Sequence, residues 1–187
     1  MNDLFPIFVK LSQVEALVVG GGKVGFEKVG ALLGNDPGAR ILIVALEACP
    51  ELKALATGNV RLEERAFRIG DLEGKHLVIC ATGDSVLNEA IRTATRERNI
   101  LLNIADTPGL CDFYLSSIVQ KGDLKIAIST NGKSPTLAKR LKEIFSELFP
   151  DELEEVLLNL HTLRDKMKGN LPEKIRKLNA LTKGLLS

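Results

Sequence analysis

Gly20, Gly22 and Gly25 stand at the spacing that a dinucleotide pyrophosphate requires, directly after an apolar run from Ala16 to Val19. In such a turn the first glycine makes the bend and the second lets backbone approach the phosphates. The third lets the next helix pack closely against the sheet. Lys23 and Val24 lie inside the same turn. A helix starting here presents unpaired N–H groups and about half a positive charge to an anion. The chemistry expected is binding of a nicotinamide or flavin cofactor.

Ligands of open α/β sheets collect outside the carboxyl ends of strands, which selects three further places. Leu46 and Glu47 follow a second apolar run, and Glu47 lies 22 residues beyond Gly25. A carboxylate about 20 residues past the glycines binds a ribose 2′-hydroxyl and favours NAD over NADP; an exposed loop carboxylate is the alternative. Ala81 and Thr82 end the run from His76. Asp106 ends the run Ile100 to Ala105, and Pro108 biases Thr107 toward an extended conformation. A carboxylate beside a nicotinamide can accept a proton while hydride leaves elsewhere. An Asp before Thr-Pro also serves as an Asx turn or cap, so both roles stay open.

Ser129, Thr130, Asn131, Gly132, Lys133 and Ser134 bring hydroxyls, adaptable N–H groups, a cation and a helix start together. That combination suits an anionic ligand. An ordinary loop ahead of a capped helix explains it equally well.

These residues need a frame. Strands are expected over Ala16 to Val19, 39–46, 60–67, 76–81 and 100–105, with helices over 26–33 and 85–98. The alternation predicts a Rossmann-like, mainly parallel α/β domain over residues 1–112. After Pro108 the pattern changes. Two strands, 113–119 and 124–129, joined by the turn 120–123, leave no room for a crossover helix and predict an antiparallel hairpin. A helix capped by Ser134 with Pro135 as first residue follows, its Leu137, Leu141, Ile144, Phe145 and Leu148 on one stripe. Residues 113–149 thus form a small α+β segment. Residues 150–187 continue as C-terminal helices, one over 151–168 and a shorter one opened by Pro172. Neither segment is large enough for its own core, which predicts a homodimer, with an intramolecular cover over the sheet as the alternative.

Composition is that of a globular chain: 187 residues, 45% hydrophobic, 26% charged, formal net charge +1. Such a balance exerts no overall pull toward nucleic acid or membrane. Cys49, Cys80 and Cys111 are odd in number and far apart, which points to reduced thiols and a cytoplasmic location, with no metal site expected. The amino terminus lacks a basic region followed by an apolar core, and no stretch approaches a membrane span. His76, at the amino end of its strand, reads as partly buried and structural. His161 reads as a solvated or interface residue.

The motifs together resemble the precorrin-2 dehydrogenase and sirohydrochlorin ferrochelatase proteins of siroheme biosynthesis. The resemblance rests on Leu4 to Phe8, Val18 to Val24 with Lys28, Ala81 and Thr82 with Asn88, Asn103 to Asp106 with Pro108, and Ile128 to Pro135. It implies NAD-dependent oxidation of precorrin-2 to sirohydrochlorin and, in some members, insertion of ferrous iron to give siroheme. The family's essential aspartate falls on Asp106. Its NAD contacts fall on Gly22, Lys23, Val24, Leu46, Glu47, Ala81 and Thr82, and its tetrapyrrole-facing loop on Ser129 to Ser134. The resemblance also implies homodimers that exchange the hairpin and following helices, and an upstream methyltransferase that supplies precorrin-2. The chain departs from the family at Gly25 and Glu27, where relatives commonly carry Ala and Arg, and at Ser116, where many carry Pro. Two alternatives remain: a dehydrogenase served by a separate chelatase, and an NAD(H)-sensing domain without turnover.

Overall fold

The computed structural model describes residues 4–183; the ends of the expected first and last segments, 1–3 and 184–187, lie outside the described residues. The chain forms two compact units, one ending at Leu115 and the other beginning at Ser116.

The first unit is built on five parallel strands, β1 (Glu15–Val19), β2 (Arg40–Ala45), β3 (Val60–Glu64), β4 (Leu77–Cys80) and β5 (Leu101–Ile104). Their order is β3-β2-β1-β4-β5, so the chain reverses direction of travel beside β1. Helix α1 (Lys23–Asn35) joins β1 to β2, α2 (Pro50–Leu55) joins β2 to β3, and α3 (Ser85–Glu97) joins β4 to β5. Side chains alternate along each strand, and the two faces bury separate clusters. Ala16, Val18, Ile41, Ile43, Leu77 and Ile79 pack with Val29 and Leu32 of α1 and Leu52 of α2. Leu17, Val19, Val44, Val78, Cys80 and Leu102 pack with Ile91 and Ala94 of α3 and with Leu72. Each fully covered Val, Leu or Ile contributes about 1.5–3 kcal/mol relative to exposure. This double cover explains the nearly continuous apolar runs of the strands.

Helix α2 escaped the sequence reading. Its six residues show one buried position, Leu52, too little for a periodic signal, although Pro50 is a characteristic first helical residue. The strand expected over 113–119 starts only at Ser117. Phe113 and Leu115 pack instead against the first unit's core, because a short apolar run carries no mark of which partner it will meet.

The second unit pairs β6 (Ser117–Lys121) with β7 (Leu124–Ile128) in an antiparallel hairpin whose register sets Val119 opposite Ile126. The loop is only Gly122 and Asp123, and Gly122 takes φ +54°, the left-handed conformation that tight hairpins demand at their first central residue. Helix α4 (Pro135–Leu148) packs on the hairpin, followed by α5 (Leu153–Lys166) and α6 (Leu171–Thr182). Among the described residues the buried apolar side chains here are few, Val119 and Ala138, while Leu137, Ile144 and Leu148 of α4 stay at least half exposed. Among the described residues no helix is long and apolar enough to cross a membrane.

Candidate functional site

Gly20 leaves β1 with φ +122° and lies on the backbone of Ala81; a Cβ there would overlap the Ala81 carbonyl. A Cβ on Gly25 would overlap the Gly20 carbonyl, so the first turn of α1 closes directly on the loop. Gly21, which sequence reasoning passed over, is as confined. A Cβ on it would overlap the Glu47 carbonyl and come within 2.8 Å of Ala45 Cβ and Ala48 Cα. Gly22 is different: a Cβ there meets nothing within 4 Å. Gly22 is also the N-cap of α1 and offers no capping side chain, so the helix N-terminus opens onto that space. Lys23 is exposed and Val24 half-buried at its edge. Open room beside an uncapped helix start fits a pyrophosphate, which takes its hydrogen bonds from backbone N–H groups.

At the end of β2, Leu46 is 80% exposed and Glu47 is exposed. The loop behind them is held by Glu64, whose Oε1 accepts the Ala48 N–H at 3.0 Å and pairs with Lys53 at 2.9 Å. Lys53 first, then the Ala48 N–H, holds the Glu64 carboxyl below its ordinary range. Glu64 therefore does the bracing while Glu47 stays outside it. Nothing in the local spacing marks Glu64; its place comes from its pairing opposite Ala45 across the sheet.

Ala81 and Thr82 follow β4, both half-buried. Thr82 Oγ1 accepts the Asp84 N–H at 2.9 Å, and Asp84 Oδ1 caps α3 by accepting the Leu87 N–H at 3.0 Å. Asn88 of α3 donates its Nδ2 to the Thr82 carbonyl at 3.1 Å. Helix α3 thus grips the loop from below.

Asp106 follows β5 at the tip of a turn closed by the Thr107 N–H on the Ile104 carbonyl, 3.3 Å. Its φ is +59°, a left-handed conformation that Asp tolerates better than most residues. The side chain is exposed and makes no hydrogen bond or ion pair among the described residues. It neither caps the following 3-10 turn (Pro108–Leu110) nor folds into an Asx turn. The turn is shaped by other groups. Cys111 Sγ accepts the Ile104 N–H at 3.2 Å and lies 3.2 Å from the Ile104 carbonyl. Burial pushes the Cys111 thiol up, against the pull of that N–H, which keeps the S–H as a donor. Asn103 Nδ2 donates to the Phe113 carbonyl at 2.8 Å.

The glycine loop, Leu46 with Glu47, Ala81 with Thr82, and Asp106 all stand at the carboxyl edge of one parallel sheet. A hollow of about 450 Å³ bordered by Arg40, Arg61 and Lys75 lies at the opposite, amino edge, where such sheets do not gather their ligands. The open carboxyl edge is therefore the candidate site.

In the second unit, the Ser129 to Ser134 loop is internally bonded. Thr130 Oγ1 accepts the Ser134 N–H and lies against its carbonyl, both at 3.1 Å, and Ser129 Oγ accepts the Asn131 N–H at 3.2 Å. Ser134 Oγ caps α4 through the Leu137 N–H at 3.2 Å. Asn131 and Gly132 take φ +54° and +72°, and Lys133 is exposed. Several of the donors expected to serve a ligand are thus occupied within the loop, and the Lys133 side chain makes no ion pair among the described residues.

His76 is exposed rather than partly buried, but its role is structural: Nδ1 accepts the Glu15 N–H at 3.0 Å. His161 is exposed and lies 3.2 Å from Asp165 on α5. Among the described residues no group of three or more His, Cys, Asp and Glu side chains could hold a metal ion.

A family model described as "Putative NAD(P)-binding" matches residues 7–117, and one described as "Sirohaem biosynthesis protein central" matches residues 121–147. A siroheme synthase of Methylococcus capsulatus is 37% identical over 172 residues, 91% of this chain and 36% of that protein. The siroheme synthase of Methylobacillus flagellatus is 39% identical over 149 residues, 79% of this chain and 32% of its own. The chain spans about a third of the length of these curated relatives. A solved structure titled "SirC, precorrin-2 dehydrogenase" superposes with a TM-score of 0.76 at 25% identity, covering 95% of this chain and 89% of that one.

Proposed function

This chain belongs to the NAD(P)-binding family whose model spans residues 7–117, and on that premise we propose that it oxidises precorrin-2 to sirohydrochlorin with NAD as electron acceptor. The observation that carries the reading is the carboxyl edge of the sheet. It sets an open, uncapped helix start at Gly22 and an exposed, unengaged carboxylate at Asp106 on the same side of one sheet. The siroheme synthase relatives and the precorrin-2 dehydrogenase fold support the choice of substrate.

Bound NAD supplies the two-electron acceptor. The backbone of Gly20 to Val24, at the start of α1, holds the pyrophosphate. Glu47 accepts the ribose 2′-hydroxyl, where its charge repels a 2′-phosphate and selects NAD over NADP. Ala81 and Thr82 would hold the cofactor from the end of β4. Asp106 accepts the proton released as the macrocycle loses two electrons; being exposed, it passes that proton to solvent. Precorrin-2 is a polycarboxylate, and Lys133, with what remains open of the Ser129 to Ser134 loop, binds its acidic arms.

The exposed apolar face of α4 supports a homodimer, in which Leu137, Ile144 and Leu148 are covered by a second copy. The protein works in the cytoplasm, where its three unpaired cysteines stay reduced, and receives precorrin-2 from an upstream methyltransferase. We propose insertion of ferrous iron, as substrate, as a second activity of the same edge, with Asp106 taking pyrrole N–H protons; a dehydrogenase served by a separate chelatase is the alternative.

Anaerobic incubation with enzymatically generated precorrin-2 and NAD, followed by visible absorption, tests the reading. Sirohydrochlorin bands that depend on NAD are expected, and ferrous iron added afterwards separates one activity from two. Unchanged precorrin-2 in the presence of bound NAD rejects the dehydrogenase and leaves a cofactor-sensing domain.

A further inference from the structure

Helix α3 carries a buried polar pair that the apolar pattern does not explain. Asn88 and Arg92, one turn apart, are 8% and 7% exposed. Each reaches out of the helix to a different loop of the site. Asn88 Nδ2 donates to the Thr82 carbonyl at 3.1 Å. Arg92 Nη1 donates to Asp112 Oδ1 at 2.8 Å. The other oxygen of Asp112 accepts the Leu102 N–H at 3.0 Å, and the Asp112 N–H donates to the Leu102 carbonyl at 2.7 Å. Asp112 therefore ties the far end of the loop from Ala105 to Cys111 back onto β5, with Asp106 near its start.

Neither side chain is fully satisfied: Asn88 Oδ1 and Arg92 Nε are buried without a hydrogen-bond partner among the described residues. The ion pair of Arg92 with Asp112, whose side chain is 30% exposed, is a modest source of stability, since water screens a partly exposed pair. What the pair does supply is geometry. One rigid helix face reaches the loop after β4 and the anchor of the turn after β5, while Asp106 itself sits in a left-handed conformation that nothing in its own side chain secures.

We propose that Asn88 and Arg92 are positioning residues, which set the Thr82 loop and the Asp106 turn in register so that cofactor and carboxylate meet the same face of the substrate. The inference rests on the assignment of Asp106 above. Asn88 acts through the Thr82 carbonyl and governs cofactor binding. Arg92 acts through Asp112 and governs the proton-accepting geometry, without touching either ligand.

The test uses the full chain with precorrin-2 and NAD, reading kcat, both KM values, NAD affinity by titration, and Tm. Arg92→Met is expected to lower kcat by about tenfold or more, since displacements of about 1 Å can cost that much, with NAD affinity and Tm near wild type. Arg92→Lys, which keeps the charge but not the planar fork, is expected to recover part of kcat. Asn88→Leu is expected to weaken NAD binding about fivefold, the scale of one lost hydrogen bond, with a smaller effect on kcat at saturating NAD. Wild-type kcat in Arg92→Met overturns the role of Arg92; should that variant not fold, wild-type kcat in Arg92→Lys does so. Wild-type NAD affinity in Asn88→Leu overturns the role of Asn88. Asp106→Asn is measured alongside. Turnover retained there removes the reading beneath the proposal, whereas turnover lost there with full activity in the Arg92 variants rejects the positioning role alone.

Discussion

The Cys49 N–H donates to the Gly21 carbonyl at 2.8 Å, stitching the glycine loop to the segment that carries Glu47. Beside that bond the Glu47 carbonyl leaves Gly21 no room for a side chain, while its neighbour Gly22 faces open space. Adjacent glycines therefore have opposite duties. Gly21→Ala is expected to destabilise the protein by about 1–3 kcal/mol, the cost of overpacking. Gly22→Ala should leave Tm close to wild type and weaken NAD binding by roughly tenfold as its methyl intrudes on the phosphate path. Thermal melts beside NAD titrations separate the two. Equal effects of both substitutions would contradict the division of roles.

Glu47 is expected to set cofactor preference. Replacing it by Ser exchanges the charged acceptor of the ribose hydroxyl for a short neutral one and removes the repulsion of a 2′-phosphate, so the ratio of NAD to NADP affinity should fall about tenfold. Unaltered preference would return Glu47 to a plain loop carboxylate.

Acid stability should depend on Asp71. Arg65 binds its two oxygens at 2.8 and 2.6 Å, and the Arg68 N–H donates to it at 2.8 Å. Arg65 first, with the Arg68 N–H adding to it, holds this carboxyl below its ordinary value of 3.8. A folded-state value lowered in this way stabilises the protein above pH 3.8, and the contribution is lost as pH falls through the folded value. Asp71→Asn should cost roughly 2 kcal/mol at neutral pH, the range of charge-assisted hydrogen bonds, and flatten the acid limb of the stability curve. An acid limb identical to wild type would show that other carboxyls control it.

Thiol labelling should follow burial. Burial pushes the Cys80 thiol up to about 12, and the thiolate is the reactive form. At pH 8 an alkylating reagent should therefore leave Cys80 untouched until denaturant unfolds the first unit. Mass spectrometry that finds Cys80 modified at the unfolded rate in native protein would refute its placement in the sheet.

Self-association should be governed by α4. Leu137, Ile144 and Leu148 fall on one side of the helix and are at least half exposed, so a charge there costs a single copy little. Sedimentation of the wild type is expected to give twice the 20.3 kDa chain mass, and Ile144→Glu with Leu148→Glu should give a monomer with intact helical content. A wild type that sediments as a monomer at micromolar concentration would end the dimer proposal.

Much of the first unit was legible because its signals are local. The apolar runs and glycine spacing around Gly20, Gly22 and Gly25 specify strand, turn and helix within about ten residues. The hairpin's two strands could likewise be read from composition and a short turn. Legibility failed wherever position depends on a partner distant in sequence. Helix α2 offers only Leu52 to the core. Phe113 and Leu115 looked like strand residues, yet they joined the first unit's core.

By itself the sequence determined the parallel α/β class, the glycine cradle, and the choice of Glu47, Thr82 and Asp106 as strand-end candidates, since strand alternation and turn chemistry act between near neighbours. Tertiary structure alone decided which glycine is confined by the Glu47 carbonyl, that Glu64 braces the loop behind Glu47, and that Arg92 reaches Asp112 across 20 residues of chain. It decided too that the Ser129 to Ser134 donors are largely spent within their own loop. Such contacts exist only after the sheet has paired and the two faces are covered, because hydrogen bonds and close packing are settled by distances in space that no spacing along the chain encodes.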